Sequence, residues 1–253
     1  MRDNGSIHTL SQELRFAGTG DAYRWIVGGN VERSDTFEDE ITDYADDSEV
    51  NAGNLFINQS GNTVQQKLRN IAGFVNGEYD LSSLFTVRAG ARYTSTRDDA
   101  RICGYSPGDG RVAELFNVLG GLLGKVPFTP IGPTDCYTLN YNDVPGQKFY
   151  SSLQQNNVSW RVGLDYHVSP DTLLYANVSR GYKAGSFPSL SAATFIQLQP
   201  VTQESLTAYE AGIKAAFWDH KIRFDAAMFF MTIGTSRSRA RRPTRSSLFS
   251  TSS

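Results

Sequence analysis

Eleven residues in the middle of the chain narrow the choice of fold more than any others. From Val158 to Val168 the apolar side chains Val158, Trp160, Val162, Leu164, Tyr166 and Val168 take every second position, and Ser159, Arg161, Gly163, Asp165 and His167 fill the gaps. Successive side chains on a strand point to opposite faces, so this run has one apolar surface and one polar surface. The Ser169-Pro170-Asp171-Thr172 turn follows, and a second alternating run places Leu174, Ala176 and Val178 against Tyr175, Asn177 and Ser179. A tilted strand crosses a bilayer in roughly 9–11 residues, so the pair reads as a membrane hairpin with lipid on one side and water on the other.

The same design recurs along the chain. Alternation predicts strands over 7–16, 23–33, about 65–79, 85–94, 158–168, 174–179, 209–217 and 222–232. Their connections run short, long, short, long, short, long, short, and the long ones are 34–63, 98–147 and 184–204. A barrel with short turns at one rim and long loops at the other forces that order, whereas a sandwich has no reason to keep it. The fold expected is therefore all-β, a partial antiparallel up-and-down transmembrane β-barrel of about eight strands over residues 1–233. Arg88, Arg92, Arg161, Asp165, Lys214, Arg223 and Asp225 fall on the polar face, where a wide lumen tolerates charge.

Composition excludes several other classes. The longest nearly unbroken apolar run, residues 115–124, is far short of the roughly 20 residues a membrane helix needs. The net charge is -2, but Arg237, Arg239, Arg241, Arg242 and Arg245 sit together near the end, and without them the rest carries about -7, which argues against nucleic acid as a partner. Segment 34–63 holds eight acidic residues and no Lys or Arg, so it is expected to be a solvated loop; it lacks the spacing of a calcium-binding loop. No nucleophile and base pair at a known spacing, so no catalysis and no cofactor are indicated. Cys103 and Cys136, the two cysteines, share the longest loop and are expected to form a disulfide; His8, His167 and His220 lie too far apart in the pattern to make a metal site with them.

Several motifs resemble the barrel half of TonB-dependent outer-membrane receptors: residues 11–15 (SQELR), 25–29 (WIVGG), 87–94 (VRAGARYT) and, most specifically, SRGYKAGSF at 179–187 followed by ESLTAYEAGIK at 204–214. The resemblance covers about residues 6–232. It implies a Gram-negative outer-membrane receptor, a barrel of about 22 strands plugged by an N-terminal domain, that actively takes up a scarce nutrient such as a ferric siderophore. It also implies partners: the small ferric ligand, outer-membrane lipid, and the TonB complex acting through the plug. No plug precedes Met1, so the chain is expected to be a fragment that neither transports nor folds stably alone, and residues 234–253 are expected to be a non-barrel, disordered or frameshifted tail. In an intact parent Arg88, Arg92 and Arg161 are expected to contact substrate. A secreted carbohydrate-binding β-sandwich and a passive porin are the alternative readings, the first predicting Trp160 and Val87 buried between two sheets.

Overall fold

A computed structural model describes residues 2–44, 51–52 and 55–235. Eight strands make one sheet: β1 (Arg2–Thr19), β2 (Tyr23–Asp43), β5 (Gln59–Asp80), β6 (Phe85–Tyr105), β7 (Phe149–Ser169), β8 (Thr172–Lys183), β9 (Glu204–Phe217) and β10 (Ile222–Thr235). Two short strands, β3 (Asn51–Ala52) and β4 (Leu55–Phe56), pair within the β2–β5 connection. Every long strand is antiparallel to its chain neighbour, so the order is strictly up and down, and the sheet is open, with β1 and β10 at its edges. Residues 236–253, which include most of the expected tail, lie outside the described residues; Gly234 and Thr235 belong to β10.

Register fixes the two faces. Directly opposed residues share a face, and Tyr23, Tyr79, Val87 and Leu164 stand in one row across β2, β5, β6 and β7. The next row up is Trp25, Gly77, Ala89, Val162, Val178, Tyr209 and Phe230, and the next begins Val27, Val75, Ala91 and Trp160. This is the surface that the alternation marks as apolar, and its large side chains are uncovered: Val162 is 50% exposed and Trp160 38%. Among the described residues no second large sheet covers them, so the sandwich reading, which needs Trp160 buried between two sheets, fails. The backbones also pack closely on the polar side of this band. A Cβ on Gly28 would stand 2.6 Å from the Leu14 carbonyl oxygen and 2.6 Å from the Phe74 ring.

The strands continue well beyond the apolar rows, into segments whose sequence predicts loop. Residues 34–43 were expected in a solvated loop, yet they pair with 59–68 as part of β2 and β5, and Ser34 and Glu40 are buried. β6 likewise runs on to Tyr105, so the loop expected from 98 begins eight residues later. The hydrophobic pattern stops where an apolar solvent stops, while backbone hydrogen bonding continues as long as a neighbouring strand is available. The third long connection, between Lys183 and Glu204, matches its expected limits.

At the long-loop end the inner face is covered. Val64, Ala100, Ile102, Phe149 and Leu153 of β5, β6 and β7 form a buried cluster with Phe187, Phe195 and Leu198 of the β8–β9 connection. A helix the alternation gives no hint of, α1 (Arg111–Leu123), buries Val112, Ala113 and Phe116 against Ile131, Tyr137 and Leu139. The two connections meet where Leu139 bridges Thr194 and the Thr138 hydroxyl donates to the Ala192 carbonyl at 3.0 Å. Together they make one folded layer, with the Asn62 side chain donating to the Ser189 carbonyl at 2.8 Å beneath it.

Candidate substrate-facing surface

The inner face of the sheet carries charge that the outer apolar band could not. At the short-turn end Arg24 donates from Nε to Glu78 at 3.0 Å and from Nη1 and Nη2 to the two Asp80 oxygens at 3.0 and 3.1 Å. The Thr86 hydroxyl donates to Asp80 at 2.7 Å, so that carboxylate is held from two sides. One strand over, Arg88 pairs with Glu78 at 3.5 Å and with Asp165, whose side chain is buried. Tyr175 donates its hydroxyl to Glu210 at 2.8 Å, and the Lys214 ammonium lies 5.7 Å from the centre of the Tyr175 ring.

Higher on the same face stand the other two arginines singled out from the sequence. Arg92 donates to the Asn30 side-chain oxygen at 2.7 Å and rests over the Phe74 ring at 5.7 Å. Arg161 faces Gly90 across the β6–β7 pair, one step from Arg88 on one side and from Arg92 on the other. Diagonal neighbours in such a pair are roughly 7–8 Å apart, within reach of long side chains. All three arginines therefore belong to one patch, but they differ in what already occupies them. Arg88 is neutralised by two carboxylates, Arg92 is held by a neutral amide and a ring, and Arg161 makes no side-chain hydrogen bond or ion pair among the described residues.

The layer above the patch is held mostly by neutral polar contacts and two apolar clusters. Gln155 accepts from the Gly185 backbone N–H at 2.8 Å, and Gln203 donates to the Asn156 carbonyl at 3.0 Å, pinning the β8–β9 connection at both ends. Cys103 at the top of β6 is bonded to Cys136, with a Cα–Cα distance of 5.1 Å. Burial pushes the Tyr105 hydroxyl up to about 12, helped by the hydrogen bond it donates to Asp39 at 2.9 Å. Burial also raises Asp98, with the neighbouring Asp99 charge adding to the effect. Alternation alone marks which residues are inside; it gives no sign that Arg24 and Asp80 form a bidentate pair or that Gln155 and Gln203 are anchors, because each depends on which strands are adjacent and in what register.

An up-and-down antiparallel sheet, apolar on one face and charged on the other, with folded long loops at one end, matches one family over nearly the whole chain. Residues 2–234 fit the β-barrel of TonB dependent receptor-like proteins. The chain belongs to the TonB-dependent receptor β-barrel family. Solved structures of similar shape include the ferric yersiniabactin uptake receptor FyuA from Yersinia pestis, with TM-score 0.64 and 14% identity over 90% of this chain and 29% of that one. The siderophore receptor PiuA from Acinetobacter baumannii gives TM-score 0.58 and 11% identity over 90% of this chain and 32% of that one. The copper transporter OprC gives 0.54 and 13% over 91% and 31%. The chain thus spans less than a third of the length of these structures. Membership of the TonB-dependent family places the sheet in the Gram-negative outer membrane, with the short turns at the periplasmic rim and the long loops outside. Family and structural neighbours alike are transport receptors rather than enzymes.

Proposed function

We propose that this chain forms part of a receptor that actively imports a small anionic metal chelate, most readily a ferric siderophore, and that Arg161 and Arg92 contact it from the barrel wall. The observation that carries the reading is the unpartnered guanidinium of Arg161, inward-facing and exposed below a folded extracellular layer. A cation so placed attracts an anionic ligand, and a charge-assisted hydrogen bond to it is worth roughly 1.5–3 kcal/mol. Arg88 has the supporting role: tied to Asp165 and Glu78, it holds the wall under the site and contributes little free charge. Solved neighbours named for siderophore uptake support iron chelates as the ligand class. Energy would come from the TonB complex through a plug domain, and nucleic acid has no part in it.

The test is transport of radiolabelled ferric chelates by the complete receptor carrying these residues, in a host deprived of iron. Arg161→Gln should weaken uptake of an anionic chelate roughly tenfold or more at limiting concentration, and Arg161→Lys should restore much of it. Equal uptake by all three forms would remove the arginine from the binding surface. Loss of uptake for neutral and anionic chelates alike would reassign it to barrel integrity.

A further inference from the structure

The acidic run at 35–43, which the sequence predicts as solvated loop, is sorted into two sets once it is strand. On the outer side of β2 each carboxylate has a partner: Asp35 pairs with Arg33 at 3.6 Å, Asp39 accepts from the Tyr105 hydroxyl at 2.9 Å, and Asp43 accepts from the Gln59 amide at 2.6 Å. The inner side is different. There Glu38 stands opposite Gly5 and Val64, and Glu40 stands opposite Asp3 and Asn62. Asp3, Glu38 and Glu40 thus share one corner of the inner wall at the extracellular end, and none of them makes an ion pair among the described residues.

Such crowding has a cost. Directly opposed side chains in an antiparallel pair have Cβ atoms roughly 4.5–5.5 Å apart, and like charges so placed repel. Asp3 and Glu40 are such a pair, and Glu40 is 8% exposed with one hydrogen bond, from the Thr42 hydroxyl at 3.2 Å. Burial, with the charges of Asp3 and Glu40 added, pushes the Glu38 carboxyl above its usual range. A cation between these groups would remove the penalty.

A second observation points to the same place. Asn62 is 2% exposed; its amide nitrogen donates to the Ser189 carbonyl at 2.8 Å, but its side-chain oxygen has no hydrogen-bond partner. A buried acceptor left unpaired is destabilising. Its neighbours in the row are Glu40 on one side and Gly104 on the other, and the Tyr137 ring lies over Gly104, where a Cβ would stand 2.7 Å from it. The open side of the orphaned oxygen is therefore the Glu40 side.

Every donor in this corner is an oxygen, the set that hard cations take. No three acidic side chains of the described residues close on one point, so a shell here combines two carboxylates, the Asn62 oxygen and water. Calcium accepts such a loose, water-completed shell, whereas magnesium demands near-ideal octahedral geometry. The spacing of a loop-type site is not needed, because the ligands come from three strands.

We propose that Glu40, Asp3 and the Asn62 side-chain oxygen, with Glu38 beside them, bind a calcium ion on the inner wall at the extracellular end of β1, β2 and β5. Two opposed carboxylates match the charge of a divalent cation, and the ion satisfies the oxygen that the protein leaves unpaired. Because the amide nitrogen of Asn62 holds Ser189, the ion also fastens the β8–β9 connection to the wall. The site is separate from the arginine patch lower on the wall, and neither reading rests on the other.

The test uses the complete receptor carrying these residues, purified in detergent and stripped of metal with a chelator, with calcium chloride as the probe. Isothermal titration should give a dissociation constant in the roughly 10⁻⁴–10⁻³ M range of extracellular calcium modules, with magnesium about tenfold or more weaker. Glu40→Gln should weaken calcium binding at least as much as the roughly 10–100-fold seen when an outer-shell partner is lost. Asp39→Asn, on the outer side of the same strand, should leave it unchanged. No binding to the unmodified protein, equal affinity for the two metals, full binding by Glu40→Gln, or an equal loss in Asp39→Asn would each overturn the proposal. Should Glu40→Gln lack the heat-modifiable gel shift of a folded barrel, amide exchange on the unmodified protein decides. Calcium must then slow exchange across 186–201, and exchange unmoved by calcium overturns the site.

Discussion

Cys103, paired with Thr63 near the outward end of β6, is covalently joined to Cys136, which lies 33 residues further along in the folded extracellular layer. The bond closes a loop that contains α1 and ties it to the strand that also carries Arg88 and Arg92. Closing a loop of that length lowers the entropy of the unfolded chain by roughly 3–4 kcal/mol in the chain-entropy picture. Changing both cysteines to serine should leave the membrane-embedded rows intact and loosen the layer. Limited proteolysis of whole cells displaying the receptor, with and without reductant, should show cleavage between 106 and 135 only when the bond is open.

Phe149 and Ile102 are each 1% exposed and sit at the centre of the cluster that glues the β8–β9 connection to the wall. Truncation there removes buried apolar surface and leaves a cavity. Ile102→Ala should cost about 2–5 kcal/mol and Phe149→Ala about 3–5 kcal/mol of the stability of this layer. Amide hydrogen exchange should report the loss chiefly in 187–198 and 100–103, with little change near the periplasmic turns.

Asp98 stands inside the layer, in register with Leu68 and Leu153, with Asp99 as its charged neighbour in the chain and one carboxylate oxygen unpartnered. Burial raises its pKa above the ordinary 3.8, so the folded state binds the proton more tightly than the unfolded one. The sign follows: ionised Asp98 destabilises the fold above its folded pKa, and the penalty fades as pH falls from that raised value to 3.8. Asp98→Asn should therefore raise the thermal stability of the layer at neutral pH and have no stabilising effect at pH below 3.8. Melting curves at a series of pH values test both halves.

Gly185 is the second glycine of the SRGYKAGSF stretch, and a Cβ there would stand 2.2 Å from the Val201 carbonyl oxygen and within 3.0 Å of the Gln155 amide that its own N–H is bonded to. The neighbouring carbonyl belongs to backbone that is itself bridged, Val201 with Ser186, so it has little room to give way. Gly185→Ala should displace the β8–β9 connection and expose it to protease, at a cost of about 1–3 kcal/mol by overpacking. Gly181, with open space around its Cβ position, should accept alanine in the same assay with little effect.

What the sequence determined by itself is the part of the molecule that lies between two solvents. Where lipid meets one face and water the other, every second residue must be apolar, and Val158, Trp160, Val162 and Leu164 record that requirement directly. The alternation of short and long connections then sets the up-and-down order, and the SRGYKAGSF and ESLTAYEAGIK motifs carry the family. Only the tertiary structure decided the rest. Above the membrane both faces meet water or protein, so the polar strand extensions at 34–43 and 59–64 leave no periodic trace and look like loop. The partners of Arg88, the openness of Arg161 and the alignment of Asp3 with Glu40 and Asn62 depend on register between strands distant in the chain, and a single sequence holds no local physical signal of that register.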